Sequence, residues 1–255
     1  MKHIGSKYLN LRTEPLVKPS TLIVGLPFGQ PVSIKQPSTR SGWFEVDTTY
    51  QGNTLSGHIS GRFLRDPISD MKEAALAVAA KEWDRFKRGK GKEYNSPYDG
   101  YVGEYWTARG YNWTGQDRDR YWSAACISWF YEKAGYKGFT FAVAHSKYIN
   151  EAISARDTDD SRDFWGYRIT EEQPQIGDLI ARRRTSATYI DYDYAAGNDQ
   201  FPSHTDMVVS IGDDYVDAVG GNVSNSVSIT RYKTLASGKL DSRGGRVFAL
   251  LQNRR

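Results

Sequence analysis

Four histidines, His3, His58, His145 and His204, and one cysteine, Cys126, are the side chains of this 255-residue chain best suited to proton transfer or nucleophilic attack near neutral pH. His204 opens the run HTDMVVSIG, which reads as a strand, so its imidazole is expected on a rigid element. Upstream, the small-residue patch Trp122-Ser123-Ala124-Ala125-Cys126 opens a helix. A nucleophile at a helix N-terminus gains from the backbone N–H groups and the dipole there, which favour a developing anion. Downstream, Gly220-Gly221-Asn222 ends another short strand, where the Asn222 amide can orient an imidazole. A nucleophile on a helix, a base on a strand and a polar orienter on the next strand together suit hydrolysis through a covalent intermediate.

Other residues join this set with a plainer reading beside each. A lone Cys excludes an internal disulfide and a multi-Cys zinc site; Cys126 is then either a small buried hydrophobe or the attacking thiolate. Asp206 lies two residues from His204 and on a strand shares its face. Arg182, Arg183 and Arg184 alternate across a strand, so one or two can offer a guanidinium to a carboxylate; otherwise they form a solvated face. Asp178 is expected to hold a strand start. No HExxH, P-loop or GxGxxG occurs, so no metal and no cofactor is expected.

The elements that must position these groups fall into two rhythms. Residues 1 to 66 carry the strand-like runs LNLR, TLIVGL, PVSIK, GWFEVDT and LSGHI, so closely punctuated by turn residues that no helix fits; a small β-barrel is expected. Asp66-Pro67 marks a boundary, because the residue before proline is pushed out of the helical region. From Ser69 the spacing of Met71, Ala74, Ala75, Val78 and Trp83 predicts a helix ending near Gly89, with KRGKGK as a solvated loop or a basic patch. A tract rich in Tyr, Trp, Gly and Asn from Tyr94 to Trp122 leads into a second helix closed by Gly135. Strand-like runs follow: DLIARRR, TDMVVSIG, YVDAVGG, SVSIT and RVFALLQ. Helices first and strands afterwards predict an α+β domain over 70–255.

Composition sets outer bounds. Hydrophobic residues make up 39% of the chain, enough for a packed core, while no apolar run reaches the roughly 20 residues of a membrane span. The net charge of +4 permits an anionic partner without demanding one, and no nucleic-acid partner is expected. The start, MKHIGSKYLNLR, has no apolar signal region, so delivery to the periplasm or the cell wall is expected by a non-classical route.

The phrases LNLRTEP, GLPFGQPVSI, SGWFEV and SGHISGRFLR resemble a bacterial SH3 domain. The run YWSAACISWFYEKAGY, with PQIGDLIA and SHTDMVV, resembles CHAP domains and their NlpC-type relatives; TGQD, AHSKYI, GDLIARRR, HTDMVV and GGNVSNSV resemble more closely the bacterial family known as domain of unknown function 2272. The resemblance implies a papain-like core of a helix packed on an antiparallel sheet. Aligning WSAAC with the family's WCAAF puts Ser123 at the nucleophile position, against a plain role as helix N-cap, with His204 as its base. Asn222 matches the final polar residue, and Gly220 stands where an acidic residue often precedes it. His145 matches the AH phrase and either lines the site or caps the following helix. Trp122, His145, Arg182 and Asp206 are the expected substrate contacts. The implied activity is hydrolysis of amide bonds in peptidoglycan peptide stems, as in a phage lysin or an antibacterial effector with an immunity or delivery protein as partner. The alternatives are a catalytically retired module that binds cell wall or a partner protein, and a Ser/Cys-His esterase or acyltransferase.

Overall fold

Closely spaced strands, each ended by a turn residue, build the N-terminal region. The computed structural model describes residues 1–158 and 160–255. The first strands are β1 (Lys2–Ile4), β2 (Tyr8–Arg12), β3 (Leu22–Pro27), β4 (Pro31–Pro37), β5 (Trp43–Tyr50), β6 (Asn53–Ser60) and β7 (Leu64–Arg65). They form one antiparallel sheet in the order β3-β2-β6-β5-β4-β1-β7. Alternation turns Leu9 and Leu11 inward onto Leu26, Val32, Val46 and Ile59, while Tyr8 faces solvent. The β5–β6 hairpin turns through Gln51 and Gly52, both at positive φ (51° and 80°), a turn whose twist suits the flanking strands.

Ser69 then caps helix α1 (Asp70–Arg85), its side chain accepting the Lys72 N–H at 3.4 Å. Glu73 in the first turn accepts the Ile68 N–H at 2.9 Å and both Nη groups of Arg65 at 2.5 and 2.8 Å. The KRGKGK run is not a freely solvated loop. Arg88 reaches back to donate to Asp84 (2.7 Å), to the Gly25 carbonyl (2.6 Å) and to the Tyr50 hydroxyl (3.1 Å). Phe28, from the strand-rich region, packs on Trp83 of α1 with ring centroids 5.7 Å apart. The first sheet is therefore fastened to α1 by both an aromatic contact and a guanidinium.

Helix α2 (Tyr98–Thr107) lies inside the aromatic tract, where no helix was expected. Two internal glycines weaken its intrinsic propensity, and burial of Val102, Tyr105 and Trp106 compensates. Next come α3 (Ser123–Lys133), ended at Gly135 with φ 87°, and α4 (His145–Asp157). The remaining elements are β8 (Phe164–Arg168), β9 (Leu179–Arg183), α5 (Tyr192–Gly197), β10 (Ser203–Ile211), β11 (Tyr215–Gly220), β12 (Ser228–Lys233) and β13 (Val247–Asn253). Their strands form an antiparallel sheet in the order β12-β11-β10-β9-β13-β8, so the whole is an α+β fold.

This second sheet is buried on both faces. Leu179, Ala181, Met207 and Val209 join the core under α1, α3 and α4. Ile180, Val208, Val216, Ala218, Tyr232 and Leu250 form a separate core on the other face. Asp178, expected to hold a strand start, does so: it accepts the backbone N–H groups of Gln175 (2.8 Å) and Asn253 (2.9 Å). Among the described residues no helix is long and apolar enough to cross a membrane.

Candidate active site

Ser123 is the first residue of α3, after Trp122 at the N-cap position, so it is not itself the cap. Its hydroxyl is 2.7 Å from His145 Nε2, and His145 is in turn the first residue of α4. His145 therefore does not cap α4 through its side chain; it turns back toward α3. Its Nδ1 meets the Tyr148 hydroxyl and, at 3.0 Å, Thr205 Oγ1; those two hydroxyls are 2.9 Å apart. With Ser123 donating to Nε2, the ring proton sits on Nδ1 and is donated to this hydroxyl pair. Burial, then the neighbouring His204, Arg184 and Arg182, push the His145 pKa well below the ordinary value, so the imidazole is neutral.

His204 belongs to a different network. Strand alternation sends Thr205, Met207 and Val209 toward the helices but His204, Asp206 and Val208 toward the opposite core. His204 Nε2 donates to Asp206 Oδ1 at 2.8 Å, and Tyr232 donates to Asp206 Oδ2 at 2.5 Å. Arg182 Nε donates to the Tyr232 hydroxyl at 3.1 Å and lies 3.6 Å from Asp206. Burial alone would raise the Asp206 pKa, but His204, Arg182 and Tyr232 together hold it below the usual carboxylate range. Burial lowers the His204 pKa despite this partner. The rings of His145 and His204 touch across the end of the sheet, with centroids 4.9 Å apart.

Several expected contacts differ. The imidazole that meets the Ser123 hydroxyl is that of His145, because β10 presents Thr205 rather than His204 to α3 and α4. Asn222 does not orient His204: it sits in the turn after β11 at φ 55° and makes no side-chain hydrogen bond among the described residues. Asp206 fills that place from the histidine's own strand. Gly220 is what admits it, since a Cβ there would lie 1.8 Å from Asp206 Oδ1 and 3.2 Å from His204 Nε2. Gly221 has a second task, for a Cβ there would lie 2.5 Å from Cys126 Cβ and 2.9 Å from the Trp122 ring.

Trp122 and Cys126 lie in the core. The Trp122 indole stacks between Phe86 and Tyr105, each at 5.7 Å, and donates its N–H to Glu93. Cys126 is fully buried, and burial followed by nearby Glu82 raises its thiol pKa well above the ordinary value. A thiolate is disfavoured there, and the side chain packs within the core. Arg182 and Asp206 belong to the buried network with His204 and Tyr232. His3 and His58 are occupied elsewhere, beside Gly29 and Glu73 and beside Ser38 respectively.

Ser123 and His145 line a cavity of about 430 Å³ with Tyr121, Arg184, Phe201 and Ser203. Of the residues that complete the site, Tyr148 had a local signal in its i, i+3 spacing from His145. Tyr232 and Thr205 had none. Among the described residues no group of three or more His, Cys, Asp or Glu side chains is gathered to hold a metal ion.

The sequence profile of a family described as "Uncharacterized protein conserved in bacteria (DUF2272)" matches residues 83–253. The chain belongs to the DUF2272 family. No curated protein matches it. The DUF2272 match spans α2 to β13, and so takes in every residue of the Ser123–His145 and His204–Asp206 networks.

Proposed function

We propose that this DUF2272 protein is a serine hydrolase that cleaves amide bonds in peptidoglycan peptide stems, with Ser123 as nucleophile and His145 as general base. The observation that carries this reading is the 2.7 Å contact between Ser123 Oγ and a neutral His145 Nε2 at the start of α3. His145 takes the hydroxyl proton as Oγ attacks the carbonyl carbon. The first amide N–H groups of α3 have no carbonyl a turn earlier within the helix, and they receive the developing oxyanion. The Tyr148–Thr205 hydroxyl pair accepts a hydrogen bond from the Nδ1–H, which stays on the ring, and so steadies the imidazolium. That imidazolium then protonates the leaving amine, and water releases the acyl group by the reverse sequence of proton transfers.

The substrate class rests on the CHAP-like and NlpC-like phrases. In this reading the C-terminal region is papain-like, and the N-terminal strands are a bacterial SH3-type module that docks the hydrolase on the wall. The site of action is the periplasm or the wall, with an immunity or delivery protein as the natural protein partner. The test is mass analysis of purified peptidoglycan after incubation with wild type, Ser123→Ala and His145→Ala. New stem fragments should appear with wild type and fall by at least about 10³-fold in both variants. An activity untouched by both variants defeats the assignment.

A second reading has its own support. Ser123 and His145 are only 2% and 5% exposed, which suits a retired site that binds wall fragments or a partner without turnover. Binding to peptidoglycan with no cleavage of peptides or esters would favour it.

A further inference from the structure

The three consecutive arginines at the end of β9 have different fates. Arg182 is held by Asp206 and Tyr232, and Arg183 Nε donates to the Gly245 carbonyl at 2.9 Å. Arg184 has neither: among the described residues its guanidinium makes no ion pair and no hydrogen bond, and its nearest organised contact is the Tyr121 ring, 5.2 Å from its Cζ. It is half-buried in the wall of the cavity that holds Ser123 and His145. Arg184 is close enough to His145 to help keep that imidazole uncharged, and no acidic side chain among the described residues lines the cavity.

A half-buried guanidinium without a counter-charge has lost hydration and gained nothing in return. An arginine stacked near an aromatic face, with its fork of donors open, is the residue type suited to bidentate recognition of a carboxylate. A cavity of about 430 Å³ also lies within the usual size of a small-ligand site, roughly 300–1,000 Å³. We infer that Arg184, backed by Tyr121, is the subsite that receives a free carboxylate of the substrate whose carbonyl Ser123 attacks. The inference rests on the hydrolase reading for the word substrate, and on the unpaired guanidinium for the chemistry of the ligand. Arg184 is a specificity residue, and the attack itself stays with Ser123 and His145.

The test separates binding from turnover. Soluble stem peptides released from purified peptidoglycan, and the same peptides with their carboxylates amidated by ammonia and a carbodiimide, are titrated calorimetrically into the Ser123→Ala protein. The free acids should bind at least about tenfold more tightly than the amides. Adding Arg184→Gln should make the two sets bind alike, while Arg184→Lys should keep part of the difference. Arg184 anchors nothing else, so each variant should unfold at the wild-type temperature. Equal affinity of acids and amides, discrimination that survives Arg184→Gln, or no binding of either set overturns the subsite. Discrimination that depends on Arg184, together with no cleavage by the wild-type protein, keeps the subsite and removes the hydrolase reading. Cleavage without discrimination does the reverse.

Discussion

The two imidazoles at the end of β10 touch each other, with centroids 4.9 Å apart, yet they live in opposite surroundings. His145 faces a cavity and is held by hydroxyls alone: Ser123 on one nitrogen, Tyr148 and Thr205 on the other. His204 faces the second core and is held by an ionised carboxylate that is itself held by Tyr232 and Arg182. Neutral hydroxyl partners leave a ring free to take up a proton. A buried charge network fixes a ring in place, and its members cannot be removed singly without stranding a charge. On the helix side of β10 the ring lies beside a hydroxyl and a cavity, and on the other side it is part of a buried charge network.

The largest effect on stability should come from Asp206→Asn. It leaves the partly buried Arg182 without its counter-charge and should cost about 3–5 kcal/mol in urea unfolding. Adding Arg182→Met to Asp206→Asn should recover part of that loss, since it removes the stranded charge while the amide oxygen introduced at position 206 can still accept from Tyr232 or His204. If Asp206→Asn unfolds like wild type, the network is not a support. Next in size, Gly220→Ala forces a Cβ against the Asp206 carboxylate and should cost about 1–3 kcal/mol. The same substitution at Gly42, where a Cβ meets nothing within 4 Å, is a control for added bulk, though its own positive φ of 74° carries a strain term.

The smallest effect is the pH dependence that the buried His145 ring brings. His145 has a folded pKa below the ordinary 6.5, so its contribution to stability is complete above that pH and is lost as the pH falls below it. Replacing it by Gln should flatten the fall in unfolding temperature between about pH 7 and about pH 5. If His145 is the base, the acid limb of kcat/KM for the wild type should also lie below pH 6.5. An acid limb above that value would count against His145 as the base.

Local chemistry made much of this fold legible. Ser69 and Glu73 announce α1, Gly135 closes α3, and the alternating runs at β9, β10 and β11 stand where strands were expected. Ser123 and His145 were both candidates for one site, but in different roles, Ser123 as nucleophile and His145 as a substrate contact. Helix α2 was missed because its own residues disfavour a helix and only its packing sustains one. Arg88 was read as part of a solvated run because nothing nearby in the chain shows that Gly25 and Tyr50 lie within its reach.

What this sequence determined by itself is therefore α1, α3, most of the strands and the kinds of groups they carry, because caps, turns and side-chain alternation act over a few residues. Which histidine meets Ser123 was decided by the tertiary structure. The partners are 22 residues apart, and the choice depends on how β10 is set against α3 and α4, which turns Thr205 inward and His204 away. The same holds for Gly220, which looked like a missing acid when read along the chain. In space it is the gap that Asp206 fills, and a gap of that kind exists only once two strands are paired.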